Sequence, residues 1–213
     1  MKIRNIIISF VSAIALLISA STLSLAKVVG DKIVLGAAVS LTGKYSSNGV
    51  HTQNGYNLAV ERINSMGGVK VGGKKYKFEI IYYDDESNSG RAAQLAERLI
   101  KQDGVQFMLG PYSSGLTKAM APVTEKYQVP MVEANGASRS LFTKGYKYLF
   151  AVLAPANLYL DVAIDLAVEK NGGKPVKIAQ AFEQDAFSQD VRLGILEAAE
   201  RTGSKIIIDD KLP

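Results

Sequence analysis

The sequence predicts an α/β fold in which parallel strands are covered by helices on both faces. Short apolar runs of strand type alternate with amphipathic helical segments along most of the 213 residues. Continuous apolar runs are typical of strands buried on both faces, and strand–helix alternation is the pattern of parallel sheets. The 47% of apolar residues is enough for one sizeable core or two small ones.

The first predicted unit is a buried-type strand, Ile33 to Val39, followed by a polar loop and a helix. The apolar residues of this helix recur at helical spacing: Tyr56, Ala59, Val60, Ile63 and Met66. Gly67 and Gly68 give it a clear C-terminal signal. The chain then turns through a second glycine pair into a strand over Lys77 to Tyr83, in which apolar and polar residues alternate.

The next unit is a helix that Asn88 or Ser89 caps and that Asp103-Gly104 ends. One face of it carries Ala92, Leu95, Ala96 and Leu99. The segment that follows reads as a strand (Val105 to Leu109), a loop and a helix capped by Ser113 and Ser114. A further strand (Gln128 to Val132) and a second polar loop (Glu133 to Ser138) come after it.

The remaining third of the chain continues the alternation. The predicted elements are a strand over Tyr148 to Leu153, a helix over Asn157 to Glu169, a strand over Val176 to Phe182, a helix over Ser188 to Arg201 and a strand over Lys205 to Ile208. Between the first two of these elements, Ala154-Pro155-Ala156 is interpreted as a crossing point between two parts of the molecule.

Two small polar loops, one around Ser113 and Ser114 and one over Glu133 to Ser138, both follow predicted strands. In open α/β sheets, ligands collect outside the carboxyl ends of strands, where helix N-termini present free N–H groups and a positive dipole end. The loops therefore predict a pocket for a carboxylate or another small polar molecule. The alternative, that these serines only cap helices, stays open at this point.

The sequence argues against several kinds of catalytic site. Residues 68–74 have the spacing of a phosphate-binding loop, but Lys75 replaces the required Ser or Thr and the segment follows a helix. No dinucleotide fingerprint follows a strand, and the GPYSSG segment lacks the order of a nucleophile elbow. The single histidine, His51, is interpreted as a surface or capping residue. We therefore expect no enzymatic activity and no cofactor.

Charged clusters have ordinary interpretations. The acidic run Asp84, Asp85 and Glu86 is expected to be a solvated turn that caps the following helix, and we expect no metal. Four lysines, Lys70, Lys74, Lys75 and Lys77, surround a Gly-Gly turn and are interpreted as a solvated hairpin. With a formal charge of only +5, nucleic-acid binding is not expected.

The N-terminus has the order of a secretory signal peptide. Lys2 and Arg4 precede an apolar run from Ile6 to Ala20, which ends in small residues at Ser24 and Ala26. We expect cleavage after Ala26, so residues 1–26 are a leader. An uncleaved anchor is the alternative, but the run is short for a membrane span. Cysteine is absent, so no disulfide and no lipid-carrying cysteine are expected.

Three segments in order, SLTGKYSSNG, YDDESNSGRAAQLAERLI and GPYSSGLTKAMAPVTEKYQVPMVEANGAS, carry a family resemblance. Together they resemble periplasmic binding proteins of the leucine/isoleucine/valine-binding type, the solute receptors of ATP-binding-cassette importers for amino acids and amides. The similarity is collinear from about Ile33 to the last residue. The ordered set of motifs is specific for this family, whereas no single motif is.

The resemblance implies a type I periplasmic-binding-protein fold with two doubly wound parallel-sheet lobes and the ligand between them. It implies a first ligand-binding lobe over residues 27–153 and a second lobe that begins at residue 154 and is incomplete at residue 213, as in an N-terminal portion of such a protein. Taken alone, the 213 residues are then expected to bind ligand poorly. A fragment, an interrupted gene and an incomplete record fit the sequence equally.

The resemblance also implies roles for particular residues. The loops that match Ser114 and Gly136 to Ser138 hold the ligand's α-carboxylate and ammonium groups, so these roles pass to Ser114, Gly136 and Ser138, with Ala137 beside them. Tyr45 or Asn48 matches an aromatic contact in the first loop. Phe187 matches a second-lobe position that is commonly tyrosine, so one hydroxyl contact of the family is lost here. The family's acidic partner for the ammonium group has no counterpart in this sequence.

The function implied is capture of an amino acid or amide in the periplasm by a monomer, for delivery to a membrane permease and its ATPase subunits. Two alternatives remain. A sensory ligand-binding module could use the same fold, because a fold alone does not fix a function. A secreted α/β hydrolase is the rival from another class, and the missing elbow and triad argue against it.

Overall fold

The computed structural model of the protein describes residues 28–212. The leader predicted over residues 1–26 lies outside the described residues, and its cleavage stays a prediction. The strands are β1 (Val28–Val29), β2 (Lys32–Val39), β3 (Val69–Val71), β4 (Lys74–Asp84), β5 (Met108–Leu109), β6 (Met131–Glu133), β7 (Leu149–Ala151), β8 (Lys177–Phe182) and β9 (Lys205–Lys211). The α-helices are α1 (Ser46–Ser65), α2 (Ser89–Lys101), α3 (Ser114–Lys126), α4 (Asp161–Lys170) and α5 (Ala186–Thr202). Two 3₁₀ turns, Arg139–Leu141 and Ala156–Leu158, complete the elements.

The strands form one large sheet and one small sheet. The large sheet has the order β3-β4-β2-β5-β6-β7, and β1 pairs with β2 at its side. The β2–β4, β2–β5, β5–β6 and β6–β7 pairs are parallel, whereas β1–β2 and the β3–β4 hairpin are antiparallel. β8 and β9 form a separate parallel pair. The predicted α/β class with parallel strands is confirmed.

The strand order reverses at β2, which has β4 on one side and β5 on the other. The loops after β2 and β5 therefore leave the sheet in opposite directions and open a crevice at their carboxyl ends. Such a switch point is where ligands bind in open α/β sheets. The order of the elements thus places the predicted loops at a common edge of the sheet.

The main core lies between the large sheet and the α2–α3 pair. Its largest fully buried side chains include Leu99, Met108, Leu116, Met120 and Met131. All four residues predicted for the buried face of α2 are buried. The cap that the sequence left open between two residues is Asn88, whose side chain accepts a hydrogen bond from the Arg91 N–H at 2.9 Å.

Two strands near the site are shorter than predicted. The segment before β5 does not pair over its whole length, because the Val105 N–H bonds to the Leu99 carbonyl at the end of α2. Before β6, Gln128 has a φ of +56° and its N–H bonds to Glu125 O, so it still belongs to the turn that ends α3. Glu133, predicted as the first loop residue, is the last residue of β6.

Helix α1 starts ten residues before its predicted apolar stripe. The SSNG sequence signals a turn, but Gly49 has another use: a Cβ there would lie 1.8 Å from the Ser40 carbonyl oxygen, so only glycine permits this close packing. The apolar residues at helical spacing do not form one buried face, because Ala59 and Met66 are exposed. This helix covers only part of one sheet face, against β2 and β4.

The last third of the chain is close to its prediction. The helix predicted from Asn157 begins as the 3₁₀ turn and continues as α4 only from Asp161. Strand β7 is shorter than predicted and β9 is longer. A small second core joins Ile164, Ile195 and Ala198. The lobe boundaries predicted at residues 153 and 154 stay a prediction.

Candidate ligand-binding site

A cleft of about 600 Å³ lies where the loops of the large sheet meet the β8–α5 loop. One wall is formed by the loop before α1, the loop after β5 and the segment 134–137 after β6. The opposite wall is formed by Tyr159 and by residues of the β8–α5 loop and the first turn of α5. Its volume is within the range of small-molecule sites, about 300–1,000 Å³.

Five of the residues predicted for the site line this cleft: Tyr45, Asn48, Ser114, Ala137 and Phe187. The other two, Gly136 and Ser138, are buried and bonded within the protein. The Gly136 N–H donates to Glu133 Oε1 at 2.5 Å. The Ser138 N–H donates to Ser114 Oγ at 3.0 Å, and its hydroxyl donates to Asp190 Oδ2 at 2.6 Å. Direct ligand contacts by these two residues stay a prediction.

Helix α3 directs its N-terminus at the cleft. Ser113 caps it with a φ of +89°, and its side chain accepts from the Leu116 N–H at 3.3 Å. Because Ser114 Oγ already accepts from Ser138, its own hydrogen is left to donate. A hydroxyl donor and the positive end of a helix dipole at one place favour a carboxylate.

The cleft is rich in aromatic side chains, two of which the sequence did not single out. Tyr45 and Tyr112 on the first wall meet edge to face, with ring centroids 5.5 Å apart. Tyr159 and Phe187 on the second wall do the same at 5.4 Å. Each wall thus presents an apolar surface to the part of a ligand that carries no charge.

Charges of both signs line the cleft. Lys44 belongs to the first wall, and Glu183 and Asp185 to the second. Asp185 also caps α5, accepting from the N–H groups of Phe187 and Ser188. The pKa of Lys44 is raised by its interaction with Tyr45 and, to a smaller extent, by Asp185 and Glu183. Glu183 directly follows β8 and Asp185 lies two residues later, and this position at a strand end is the signal that could have identified them.

The acidic run at the end of β4 is only in part the predicted solvated turn, because Glu86 is exposed in the turn before α2, whereas Asp84 and Asp85 bond to the first loop. Asp84 accepts hydrogen bonds from the Leu41 N–H at 2.9 Å and the Thr42 hydroxyl at 2.7 Å, so it holds the first loop. Asp85 is fully buried and accepts from the Ser40 hydroxyl at 2.6 Å. Burial raises the pKa of Asp85. The prediction was wrong for Asp84 and Asp85 because a neighbouring loop, not solvent, meets these carboxylates.

Glu133 is a further residue of this region that sequence reasoning missed. It is fully buried at the end of β6, directly behind the cleft segment 134–137. Its Oε1 atom accepts from the N–H groups of Asn135 and Gly136, and Oε2 lies 2.7 Å from Thr117 Oγ1. Burial raises its pKa from 4.5 to about 7, against the opposing effect of these hydrogen bonds.

A second cavity of about 450 Å³ adjoins the first, and the two share four lining residues: Asn48, Tyr112, Ala134 and Asn135. His51 and Tyr56, both on α1, line this cavity. The Tyr56 hydroxyl donates to the Gly110 carbonyl at 2.7 Å. The cavity therefore extends the cleft along the side of α1.

Within residues 28–212, no group of three or more His, Cys, Asp or Glu side chains is placed to hold a metal ion. Over the same residues, none of the helices combines the length and the apolar character needed to span a bilayer. The four lysines interpreted as a solvated hairpin lie on β3 and β4, on either side of the turn, and are exposed.

Comparison with known proteins identifies the family. A family model described as "Periplasmic binding protein" matches residues 32–213. The leucine-, isoleucine-, valine-, threonine- and alanine-binding protein of Pseudomonas aeruginosa is 24% identical over 182 residues, covering 85% of this chain and 47% of that protein. Leu/Ile/Val-binding protein homolog 8 of Brucella suis is 25% identical, covering 100% of this chain and 52% of that protein. The chain therefore spans about half the length of these relatives.

Solved structures agree. The branched-chain amino acid transporter substrate binding protein LivJ of Streptococcus pneumoniae, in complex with isoleucine, aligns with a TM-score of 0.70 at 25% identity over 85% of this chain and 49% of that one. A solute binding protein of an ABC transporter from Rhodopseudomonas palustris, in complex with 3,4-dihydroxy benzoic acid, aligns with a TM-score of 0.71 at 26% identity. This alignment covers 86% of this chain and 48% of that one. With the strand order and the cleft described above, these matches show that the chain belongs to the periplasmic binding protein family, of the leucine/isoleucine/valine-binding type.

Proposed function

We propose that this protein captures a small amino acid or amide in the cleft and delivers it to a membrane permease and its ATPase subunits. The proposal includes a periplasmic location after cleavage of the leader and a monomeric state. The observation that carries it is the cleft itself, in which a helix N-terminus, charges of both signs and aromatic walls converge. No reaction is catalysed in this proposal.

The arrangement of charge supports a zwitterionic ligand. Its carboxylate would lie at the N-terminus of α3, where the Ser114 hydroxyl is left as a donor. Its ammonium group would face Glu183 and Asp185 on the opposite wall, and the two aromatic pairs would enclose its side chain. Charge-assisted hydrogen bonds in a cleft closed to water give both affinity and orientation.

Closure of the two walls on the ligand would connect binding to transport. In this proposal the ligand docks on the first lobe, residues 27–153, and the second lobe, from residue 154, then closes over it. Closure of this kind is a shift between two arrangements that the ligand biases through its contacts with both walls. The closed surface would be the one that the permease recognises.

A second ligand class has a specific observation in its favour. The cleft contains four aromatic rings, and the Rhodopseudomonas palustris relative is bound to an aromatic acid. A carboxylate on an aromatic ring would use the same α3 site. The sensory module stays a rival, because it would use the same cleft.

Calorimetric titration of the full-length protein tests the proposal. The probes are leucine, isoleucine, valine, alanine, asparagine and 4-hydroxybenzoate. The proposal expects micromolar or tighter binding of at least one amino acid or amide. Binding of 4-hydroxybenzoate alone would favour the aromatic-acid class, and binding of none would reject the proposal. Turnover of a chromogenic ester would instead favour the hydrolase.

A further inference from the structure

Behind the cleft wall, Glu133 and Thr117 connect two ligand loops. Thr117 Oγ1 lies 2.7 Å from Glu133 Oε2 and 2.9 Å from the carbonyl oxygen of Ser113, the cap of α3. Glu133 in turn holds the N–H groups of Asn135 and Gly136. A single buried carboxyl group thus joins the loop before α3 to the segment after β6, and both line the cleft.

Counting hydrogens decides which form of Glu133 fits this geometry. A carbonyl oxygen and an ionised carboxylate only accept hydrogen bonds, and the Thr117 hydroxyl has one hydrogen to give. If Glu133 were ionised, the Thr117 hydroxyl could donate to only one of its two neighbours, Ser113 O or Glu133 Oε2. The other short contact would then join two oxygen atoms with no hydrogen between them. With a proton on Oε2, Glu133 donates to Thr117 and Thr117 donates to Ser113, so every contact is satisfied.

The surroundings of the carboxyl group also favour the neutral form. Glu133 is fully buried. A Cβ on Gly110 would lie 2.0 Å from Glu133 Oε2, and a Cβ on Gly136 would lie 3.1 Å from Glu133 Cδ. Both glycines therefore pack directly against the carboxyl group. Among the described residues, its hydrogen-bond partners include no Lys, Arg or His side chain. A buried carboxyl group without a cation prefers to be neutral.

The titratable groups around it add no positive charge. From α1, the Tyr56 phenol interacts electrostatically with Glu133, and burial is the main cause that raises the pKa of Tyr56. From α5, Asp190 reaches the same backbone segment at Ser138. The pKa of Glu133, raised by burial to about 7, is consistent with the hydrogen count.

We propose that Glu133 is a positioning residue that is protonated in the ligand-bound protein, so that capture of a carboxylate ligand is linked to a proton at this residue. The inference rests on the proposed function in one respect, the ligand carboxylate at the N-terminus of α3. That carboxylate would lie close to the loop that Glu133 holds through Thr117. A second negative charge nearby disfavours ionisation of Glu133, so the bound protein holds the proton more tightly than the free protein.

The linkage has a definite sign. The bound protein holds the proton more tightly than the free protein. Ligand affinity is therefore highest at a pH where Glu133 is neutral in both states, and it falls as the pH rises through the pKa of Glu133 in the free protein. A shift of about one pKa unit on binding corresponds to about a tenfold loss of affinity. The loss should occur between about pH 6 and pH 8.5.

The test has two arms. In the ligand-free full-length protein, the ¹³C signal of the Glu133 carboxyl group is followed against pH and assigned with Glu133→Gln. In the second arm, isoleucine and 4-hydroxybenzoate are titrated at pH 6 and pH 8.5 in buffers of different ionisation enthalpy.

The Glu133→Gln variant reproduces the neutral acid, since the glutamine oxygen accepts from two N–H groups and its amide donates to Thr117. Glu200→Gln, an exposed residue on α5, is the matched control.

We expect the Glu133 carboxyl group to be neutral at pH 5.5 and the wild-type affinity to fall about tenfold between pH 6 and pH 8.5, with net proton uptake on binding. Glu133→Gln should change by less than about twofold, and Glu200→Gln should follow the wild type. An ionised Glu133 at pH 5.5, or equal pH dependence in wild type and Glu133→Gln, would overturn the inference. The carboxyl signal and the buffer dependence are wild-type measurements and need no variant to fold. If none of the six probes of the proposed function binds, that function has failed, whereas a Glu133 carboxyl group ionised at pH 5.5 overturns this inference and leaves the proposed function standing.

Discussion

Two buried side chains, Ser114 and Glu133, hold the same backbone segment, residues 134–138, from its two ends. Ser114 Oγ accepts from the Ser138 N–H, and Glu133 accepts from Asn135 and Gly136. The segment contributes Ala134, Asn135 and Ala137 to the cleft. The site is therefore a preorganised wall, in which buried polar groups fix the backbone that meets the ligand.

Replacing Ser114 with alanine should weaken ligand binding by about 1.5–3 kcal/mol, because a hydrogen bond to the charged carboxylate would be lost. Calorimetry with the tightest-binding amino acid measures the effect. Ser65→Ala is the control, since Ser65 lies at the end of α1 and bonds only to its own helix. Equal affinities of Ser114→Ala and Ser65→Ala would show that the carboxylate binds elsewhere.

The pH dependence of stability is a second prediction at this scale. The folded-state pKa of Glu133 is about 7, above its ordinary value of 4.5, so the folded protein favours the neutral form. Its contribution to stability is complete below pH 4.5 and is lost as the pH rises through about 7, by about 3 kcal/mol in all.

Urea unfolding followed by circular dichroism at pH 4.5 and pH 8 measures this difference. The free energy of unfolding of the wild type should fall relative to Glu133→Gln over that range, whereas Glu200→Gln should remain parallel to the wild type. A constant difference between wild type and Glu133→Gln would mean that Glu133 ionises normally in the folded protein.

At the level of elements, caps and strand ends set the positions of the loops. The sequence predicted the buried face of α2 well, because four apolar residues at helical spacing have one interpretation. It predicted the strand before α3 less well. Val105 is apolar and β-branched, yet its N–H bonds to the end of α2 and not to a neighbouring strand. Local pattern cannot show which partner a backbone group takes.

The difference between local pattern and tertiary partner also explains which site residues could be predicted from the sequence. Tyr45, Ser114 and Phe187 could be placed because each follows a strand end within a motif of the family. Glu133 could not, since an acidic residue at a strand end is usually solvated and its burial depends on Gly110 and Thr117, which are distant in sequence. Glu183 and Asp185 of the second wall were missed because a local pattern does not show which loops share a cleft.

The cap of α2 provides an element-scale prediction. Asn88→Ala should lower the free energy of unfolding by about 1 kcal/mol, because the Arg91 N–H loses its acceptor. Ser89→Ala, one residue later on the exposed surface, should change it by less than about 0.5 kcal/mol. Urea unfolding of the two variants compares them directly, and the reverse order would place the cap at Ser89.

For the whole molecule, the important contacts are those between the first wall and α5. The Ser138 hydroxyl and the Ser140 N–H both donate to Asp190, which is 6% exposed. An exposed ion pair between Arg139 and Glu197 at 3.0 Å lies beside them. The buried contacts fix how the second wall meets the first, while the exposed pair is screened by solvent.

Asp190→Ala should therefore lower the free energy of unfolding by about 1–3 kcal/mol, since a buried hydroxyl and a partly buried N–H lose their acceptor. Glu197→Ala removes the exposed pair and should cost less than about 1 kcal/mol. Thermal unfolding of both variants, with ligand binding measured alongside, tests the difference. Similar losses in the two variants would mean that Asp190 does not join the walls.

The position of the bound ligand is the most direct test of the proposed site. A crystal structure of the full-length protein with its tightest-binding probe should show the ligand carboxylate within hydrogen-bond distance of Ser114 Oγ and the N-terminus of α3. The ligand's apolar part should lie between the Tyr45–Tyr112 and Tyr159–Phe187 pairs. A ligand in the adjoining cavity beside His51 and Tyr56, with the α3 N-terminus free, would contradict the proposal.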